Sequence, residues 1–349
     1  MGPAIPYVTA LVIGVTGGFA AYFSGLPLPW MLGPMIANTG AALLRVPIKG
    51  PVPIRPYVIP VLGVLLGSGI TAEVLGLLRT WVVTLAVLPV FLACAASISF
   101  AIYRRVGRYD TVTAFYAAMP GGLNEMLIMG VAAGGDERRI AMAHAARVLL
   151  IIVFVALYFG FILGVTSGGP NAAGWVALDG ITARDYAILA ACAVCGAIMG
   201  KALRLPAAPI LGPMILSGLT HVTGWVTVAP PTLFVILAQI TIGTIIGTRF
   251  VGSTLADLRR DLGLAAISSF LMLLVAVGFA ELIFLISGIP LAQGFLAYSP
   301  GGLAEMSILA LAMEQDATYV SVMHIIRITL VIALAPLVFR VIGRNGPPR

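Results

Sequence analysis

The heptapeptide Pro120–Met126, PGGLNEM, returns as Pro300–Met306, PGGLAEM, and other pairs along the chain keep the same 180-residue interval. LGVLLG at 62–67 answers IGTIIG at 242–247, so Gly63 and Gly67 are matched by Gly243 and Gly247. His144 and Arg147 are matched by His324 and Arg327, while LPLPWMLGPMI at 26–36 matches LPAAPILGPMI at 205–215 at an interval one residue shorter. Self-similarity at a fixed spacing means that one structural unit has been used twice. The chain divides into a first repeat over 1–165, a Gly/Ser/Asn-rich linker over 166–180, and a second repeat over 181–349.

Charge decides the solvent. Only 9% of the residues are charged and 60% are apolar, against roughly 25% charged in an average soluble chain. Windows such as 81–103, 140–163, 263–286 and 320–342 are apolar over about 20 residues, the length that crosses roughly 30 Å of hydrocarbon. The formal charge of +7 does not point to nucleic acid, because the basic residues lie between apolar segments and not on a patch interleaved with aromatics. Three cysteines make no disulfide framework, and Cys192 and Cys195 read as small packing residues in an apolar helix. The opening MGPAIPYVTALVIG lacks a basic n-region and reads as a first span, not a cleaved leader.

Spans are expected near 7–24, 29–46, 56–71, 81–103 and 140–163, with a broken segment at 111–134. In the second repeat they fall near 185–203, 208–224, 231–249, 263–286 and 319–341, with a broken segment at 291–313. Each broken segment carries a Pro-Gly-Gly interruption that stops one helix and permits a sharp reversal. Its halves, about 13 Å and 20 Å long, make either a re-entrant hairpin or one broken crossing. Basic residues arbitrate. In the first repeat they sit after spans two and four, in the second after spans one and three. Such a switch requires inverted repeats, hence an odd number of crossings in each, hence a hairpin. With both termini cytoplasmic, all but four of the 20 Lys and Arg lie inside; Arg79 and Arg184 lie outside, and Arg147 and Arg327 lie in or near helices. The expected fold is an all-α polytopic membrane protein, an inverted-topology repeat of ten spans and two re-entrant hairpins.

Inverted repeats with matching broken helices are a design of secondary transporters, in which the breaks meet near the midplane and form the substrate site. The candidate substrate and ion residues are therefore Pro120, Gly121, Gly122, Asn124, Glu125, His144 and Arg147, with Ser299, Pro300, Gly301, Gly302, Glu305, His324 and Arg327. Helix N-termini starting at the glycines favour an anion, whereas carbonyls near Ala117–Met119 suit a cation. Glu125 and Glu305 are intramembrane carboxylates able to bind H⁺ or Na⁺, or equally to cap the helix they open. Arg147 and Arg327 can hold an anionic solute or neutralise the Glu of their own repeat. Asn124 gives way to Ala304, so the breaks are not equivalent. The glycine pairs 63/67 and 243/247 read as close helix contacts.

Two copies of an LPxPxxLGPM-like segment, and PGGLxEM followed by HxxR, resemble the AbrB family of membrane proteins across nearly the whole chain. That family is distinct from the soluble DNA-binding regulator of the same name. Its members have been labelled ammonia monooxygenases, regulators of gene expression and transporters. The resemblance therefore implies a multi-pass protein of the cell membrane, bacterial inner membrane, and no single activity. The residues favour a transporter of a small, anionic solute coupled to H⁺ or Na⁺, elevator-like, without cofactor or metal and not an enzyme. Its partners are the solute and the bilayer, with a homodimer expected by analogy and no nucleic acid. The alternatives are a membrane-embedded sensor without transport, a channel, and, remotely, an oxygenase, for which three histidines and no HxxxH or ExxH pair make a poor ligand set.

Overall fold

The computed structural model describes residues 4–26, 28–70, 78–158, 175–205, 207–252 and 255–344, and at 78–79, 124, 156, 255–258 and 342–344 the backbone alone. The linker expected at 166–180 lies outside them as far as residue 174, as do the last residues of the fifth span. Among the described residues every regular element is helical. The first repeat supplies α1 (Ile5–Phe23), α2 (Pro29–Leu43), α3 (Arg55–Ser68), α4 (Leu78–Ala101, continued by a π turn Ile102–Val106), α5 (Thr111–Ala118), α6 (Leu123–Ala132) and α7 (Glu137–Leu157). The second supplies α8 (Ala183–Ala202), α9 (Ala208–Val222), α10 (Thr232–Gly247), α11 (Leu255–Ser287), α12 (Leu291–Tyr298), α13 (Leu303–Ala312) and α14 (Ala317–Arg344).

Among the described residues six helical stretches are long and apolar enough to cross a membrane: Ile5–Phe23, Thr80–Val106, Ala183–Ala202, Thr232–Phe250, Arg259–Ser287 and Ala317–Val341. The chain is thus an all-helical, multi-pass protein. The other four expected spans are also helices but differ in kind. α2 and α9 have 15 residues and α3 has 14, at most about 22 Å of rise. α7 opens with Glu-Arg-Arg and carries Arg147 in its interior.

The duplication extends to the backbone. Left-handed residues occur in pairs at the repeat interval: Gly25 with Arg204, Leu28 with Ala207, Arg45 with Gly224, Arg108 with Gly288, and Gly134 with Glu314. In four of the five pairs one copy uses glycine, which adopts this conformation freely, and the other accepts a side chain at a cost of about 1 kcal/mol.

Compact units cut across the repeats. Unit 1 holds Met1–Leu78, Val155–Gly252 and Ser307–Thr318; unit 2 holds Arg79–Phe154, Ser253–Met306 and Tyr319–Arg349. Within unit 1 the third helices are exchanged, so that α10 packs on α1 and α2 while α3 packs on α8 and α9. Glycine makes the exchange possible. A Cβ on Gly63 or Gly67 would stand 2.5 Å from the carbonyl oxygen of Ile210 or Met214, both in α9, and one on Gly247 would stand 2.5 Å from Met35 O in α2. Gly243 meets Met31 O in the same way. The LGPM segment of each repeat is thus the seat for the glycine pair of the other, the close backbone approach typical of small-residue interfaces in lipid. Polar clasps follow the same rule. Asn38, fully buried on α2, reaches Thr244 Oγ1 on α10 at 3.5 Å, and Ser217, its counterpart on α9, donates to Val64 O on α3 at 2.9 Å.

In unit 2, Asp110 caps α5 by accepting the Thr113 N–H at 2.9 Å. The first broken segment then returns on itself. The Asp136 N–H, beyond α6, donates to Thr113 Oγ1 in the first turn of α5 at 2.9 Å, and Gly130 in α6 lies against Tyr116 in α5. Two helices laid end to end would put these residues far apart, so α5 and α6 form a helical hairpin.

Gly67→Ala and Gly247→Ala are each expected to destabilise by about 1–3 kcal/mol through overpacking. Gly278→Ala in α11, where an added Cβ meets nothing within 4 Å, should be neutral or stabilise by up to about 1 kcal/mol. Thermal unfolding of the purified variants checks both, and a harmless Gly67→Ala would refute the close contact.

Candidate functional site

Proline sets the geometry of both breaks. It has no N–H and disfavours helical backbone in the residue before it, so the chain leaves α5 at Met119 (φ −58°, ψ 128°) and α12 at Ser299 (φ −57°, ψ 131°). The two departures are superimposable within a few degrees although the side chains differ. Gly122, with ψ 136°, then opens α6. The remaining letters of PGGLxEM have local reasons too. A Cβ on Gly121 would press on the Met126 side chain at 3.3 Å and one on Gly301 on Met306 at 2.7 Å, so the Met closes over the first glycine. A Cβ on Gly122 or Gly302 would collide with Oε2 of Glu125 or Glu305. Each carboxylate therefore lies back over the start of its own helix, beside the positive end of the helix dipole. Glu125 is exposed, whereas Glu305 is only 7% exposed.

The ends of the first arms are held by arginine. Arg147 donates from Nη1 to Met119 O at 2.7 Å and from Nη2 to Ala117 O. Arg327 donates from Nη1 to Ser299 O at 2.6 Å and from Nη2 to Gly301 O at 2.8 Å. Both side chains are 2% exposed. No carboxylate among the described residues pairs with either guanidinium; the Tyr103 hydroxyl lies against that of Arg147, and Arg327 Nε is buried without a hydrogen-bond partner. Carbonyls near Ala117–Met119, expected to suit a cation, are occupied by the guanidinium of Arg147. The fork of each arginine satisfies backbone groups left over by the break.

The histidines diverge. His144 Nε2 meets Tyr116 O on α5 at 2.9 Å, while His324 Nδ1 turns to Val320 O in its own helix at 3.0 Å and its ring also lies against the backbone of Ser299. The Asn124 side chain lies outside what the structure describes. Every residue expected in the site falls within unit 2, and none within unit 1.

Sequence reasoning missed the polar residues beside the first break. Tyr103, on the π turn, packs in one buried cluster with Ala114, Ala117 and Ala118 of α5 and Ala143 of α7. Its hydroxyl stands next to Arg147 and Ser268, and the Ser268 hydroxyl is 2.7 Å from that of Ser99. The signal was a difference between repeats, since Ile283, Leu88 and Phe279 occupy the corresponding positions. Among the described residues no three His, Cys, Asp or Glu side chains gather as metal ligands.

The chain matches the family AbrB, described as transition state regulatory protein AbrB, over residues 30–343. It is similar to the uncharacterized protein YhjN of Bacillus subtilis (strain 168), with 27% identity covering 95% of this chain and 92% of that protein. It is also similar to a protein of Escherichia coli (strain K12) whose name gives it as a candidate regulator, AbrB, with 26% identity covering 98% of this chain and 97% of that one.

Arg147→Lys and Arg327→Lys are expected to cost about 2 kcal/mol of stability each, because an ammonium cannot bridge two carbonyls as the fork does. Arg105→Lys, at an exposed position, should stay within about 0.5 kcal/mol. Equal melting curves for all three in detergent would contradict the assignment.

Proposed function

The chain belongs to the AbrB family, and on that premise we propose that it is a secondary active transporter of a small anionic solute, driven by H⁺ or Na⁺. The observation that carries this reading is the pair of buried guanidiniums at the two breaks, without carboxylate partners among the described residues. Two fixed positive charges in an apolar interior are costly unless compensated. The negative ends of α5 and α12 offset part of that charge, and the positive ends of α6 and α13 are offset by Glu125 and Glu305. When a proton or Na⁺ neutralises a Glu, the region gains positive charge and its affinity for an anion rises. Cation and anion therefore bind together, which is the requirement of a symporter.

The division of the chain supports an elevator. Unit 2 contains both Pro-Gly-Gly breaks and every candidate residue, with α13 passing into unit 1 from Ser307, and unit 1 is tied together by close glycine contacts. In this reading the inverted repeats place the first hairpin toward the cytoplasm and the second toward the outside, with both termini cytoplasmic in a bacterial inner membrane. A homodimer through unit 1 is the expected scaffold. The name of the relative from Escherichia coli favours a second reading, a membrane sensor that binds the same solute without moving it.

Two experiments test this. Glu125→Gln and Glu305→Gln should each reduce ion-coupled uptake in proteoliposomes by about ten-fold or more while leaving the fold intact, and normal coupling in the double variant would make both residues caps only. Binding without uptake in the native protein would favour the sensor. For topology, Cys94, Cys192 and Cys195 are replaced by alanine and single cysteines are placed at Arg105 and Thr223, both exposed. They should label from opposite faces, Arg105→Cys from the cytoplasm, and labelling from one face would refute the inversion.

A further inference from the structure

We propose that the arginine-rich end of unit 2 is a docking surface for anionic phospholipid, whose headgroup phosphates meet arginines gathered from three helix ends. In the sequence these residues are far apart. Arg104, Arg105 and Arg108 lie in and after the π turn that closes α4, Arg138 and Arg139 open α7, and Arg259 and Arg260 stand early in α11. Tertiary contacts collect them around Tyr109, which is 1% exposed. Its carbonyl oxygen accepts from Arg104 Nη1 at 2.9 Å, and the Arg139 guanidinium lies over its ring, 5.0 Å from the centroid. Its hydroxyl donates to Asp261 Oδ1 at 2.9 Å, and next to it Arg260 donates from Nη2 to Gly107 O at 2.7 Å. The carboxylates of this end have structural work. Asp261 holds Tyr109, Asp110 caps α5, and Asp136 accepts the Arg139 N–H and stands 3.5 Å from Arg139 Nε. Arg105, Arg108 and Arg259 are exposed and make no ion pair with any described side chain.

Position selects lipid among the possible anions. The arginines adjoin the ends of two stretches long enough to cross a membrane, Thr80–Val106 and Arg259–Ser287, and so stand at headgroup level. Val106, 63% exposed beside Arg105, offers apolar contact to an acyl chain. Residue type agrees, since all seven cations are arginine, whose planar fork pairs bidentately with phosphate. The matching end of the other repeat has none of this. At the 180-residue interval Phe284, Leu285, Gly288, Thr318, Tyr319 and Thr80 replace six of the arginines, and Arg79 alone answers Arg259. Ile289 stands for Tyr109 and Trp81 for Asp261, with Trp81 packed on Tyr319 at 5.5 Å between ring centroids. One end of the duplicated scaffold is thus charged and the other aromatic. The surface needs only a membrane interface, whichever face it occupies, and does not depend on transport.

The test is thermal unfolding of the purified full chain in a neutral detergent, titrated with phosphatidylglycerol and separately with phosphatidylcholine. Phosphatidylglycerol should stabilise saturably where phosphatidylcholine does not. An arginine at an anionic surface is worth about five-fold in binding. Arg105→Gln, Arg108→Gln and Arg259→Gln combined should therefore raise the half-saturating lipid concentration about a hundred-fold. If the combination is less stable in detergent alone, each single replacement keeps the test, with a shift of about five-fold. Arg45→Gln, Lys201→Gln and Arg204→Gln remove the same charge from exposed positions in unit 1 and should leave the midpoint unchanged. Equal shifts from the two triple variants would reduce the effect to net charge and overturn the site. Equal stabilisation by both lipids, or the same protection from inorganic phosphate without lipid, would overturn it as well.

Discussion

A helix broken in apolar surroundings leaves carbonyl oxygens without partners, and each such group costs several kcal/mol where water is excluded. The rest of unit 2 follows from how that cost is met. Pro120 and Pro300 create the gap, and Arg147 and Arg327 fill it with a rigid fork that reaches two carbonyls at once. The solution brings a new difficulty, a buried positive charge in each half. Helix ends and the folded-back glutamates offset part of it, and the proposed anion would meet what remains.

Unit 1 solves a different problem. Lipid gives helices no hydrophobic reason to associate, so association depends on close contact and on polar clasps. The exchanged third helices meet both needs with the same residues in each repeat, glycines against the LGPM carbonyls and Asn38 or Ser217 against the facing helix. An interface that admits only hydrogen atoms has one register. Tight packing in one unit and broken helices in the other suit a division between support and site.

Much of this was legible in the sequence because duplication acts as an internal control. The recurrence of PGGLxEM and HxxR located the breaks and the candidate residues that fall in unit 2, and the glycine pairs marked the close contacts of unit 1. Partners were harder to read. Nothing in Arg147 or Arg327 announces that its acceptors are backbone carbonyls 26–30 residues away, since backbone atoms carry no sequence signal. Gly63 gives no hint that its neighbour belongs to the other repeat. Left-handed backbone at Arg45, Arg108, Arg204 and Glu314 is invisible in residues that are not turn formers, and only the glycine in the paired copy betrays it. Tyr103, Ser99 and Ser268 were overlooked because a search for repetition rewards sameness, and these three matter where the repeats differ.

The central claim is that cation and anion bind the broken-helix region together and cross with net movement of charge or protons. Solid-supported membrane recording on proteoliposomes, with concentration jumps of small carboxylates and inorganic anions at two pH values and with or without Na⁺, reads this directly. The account predicts a saturable transient for at least one anion, enlarged by acid or by Na⁺. No charge movement or proton flux with any anion, under any of these conditions, would contradict it.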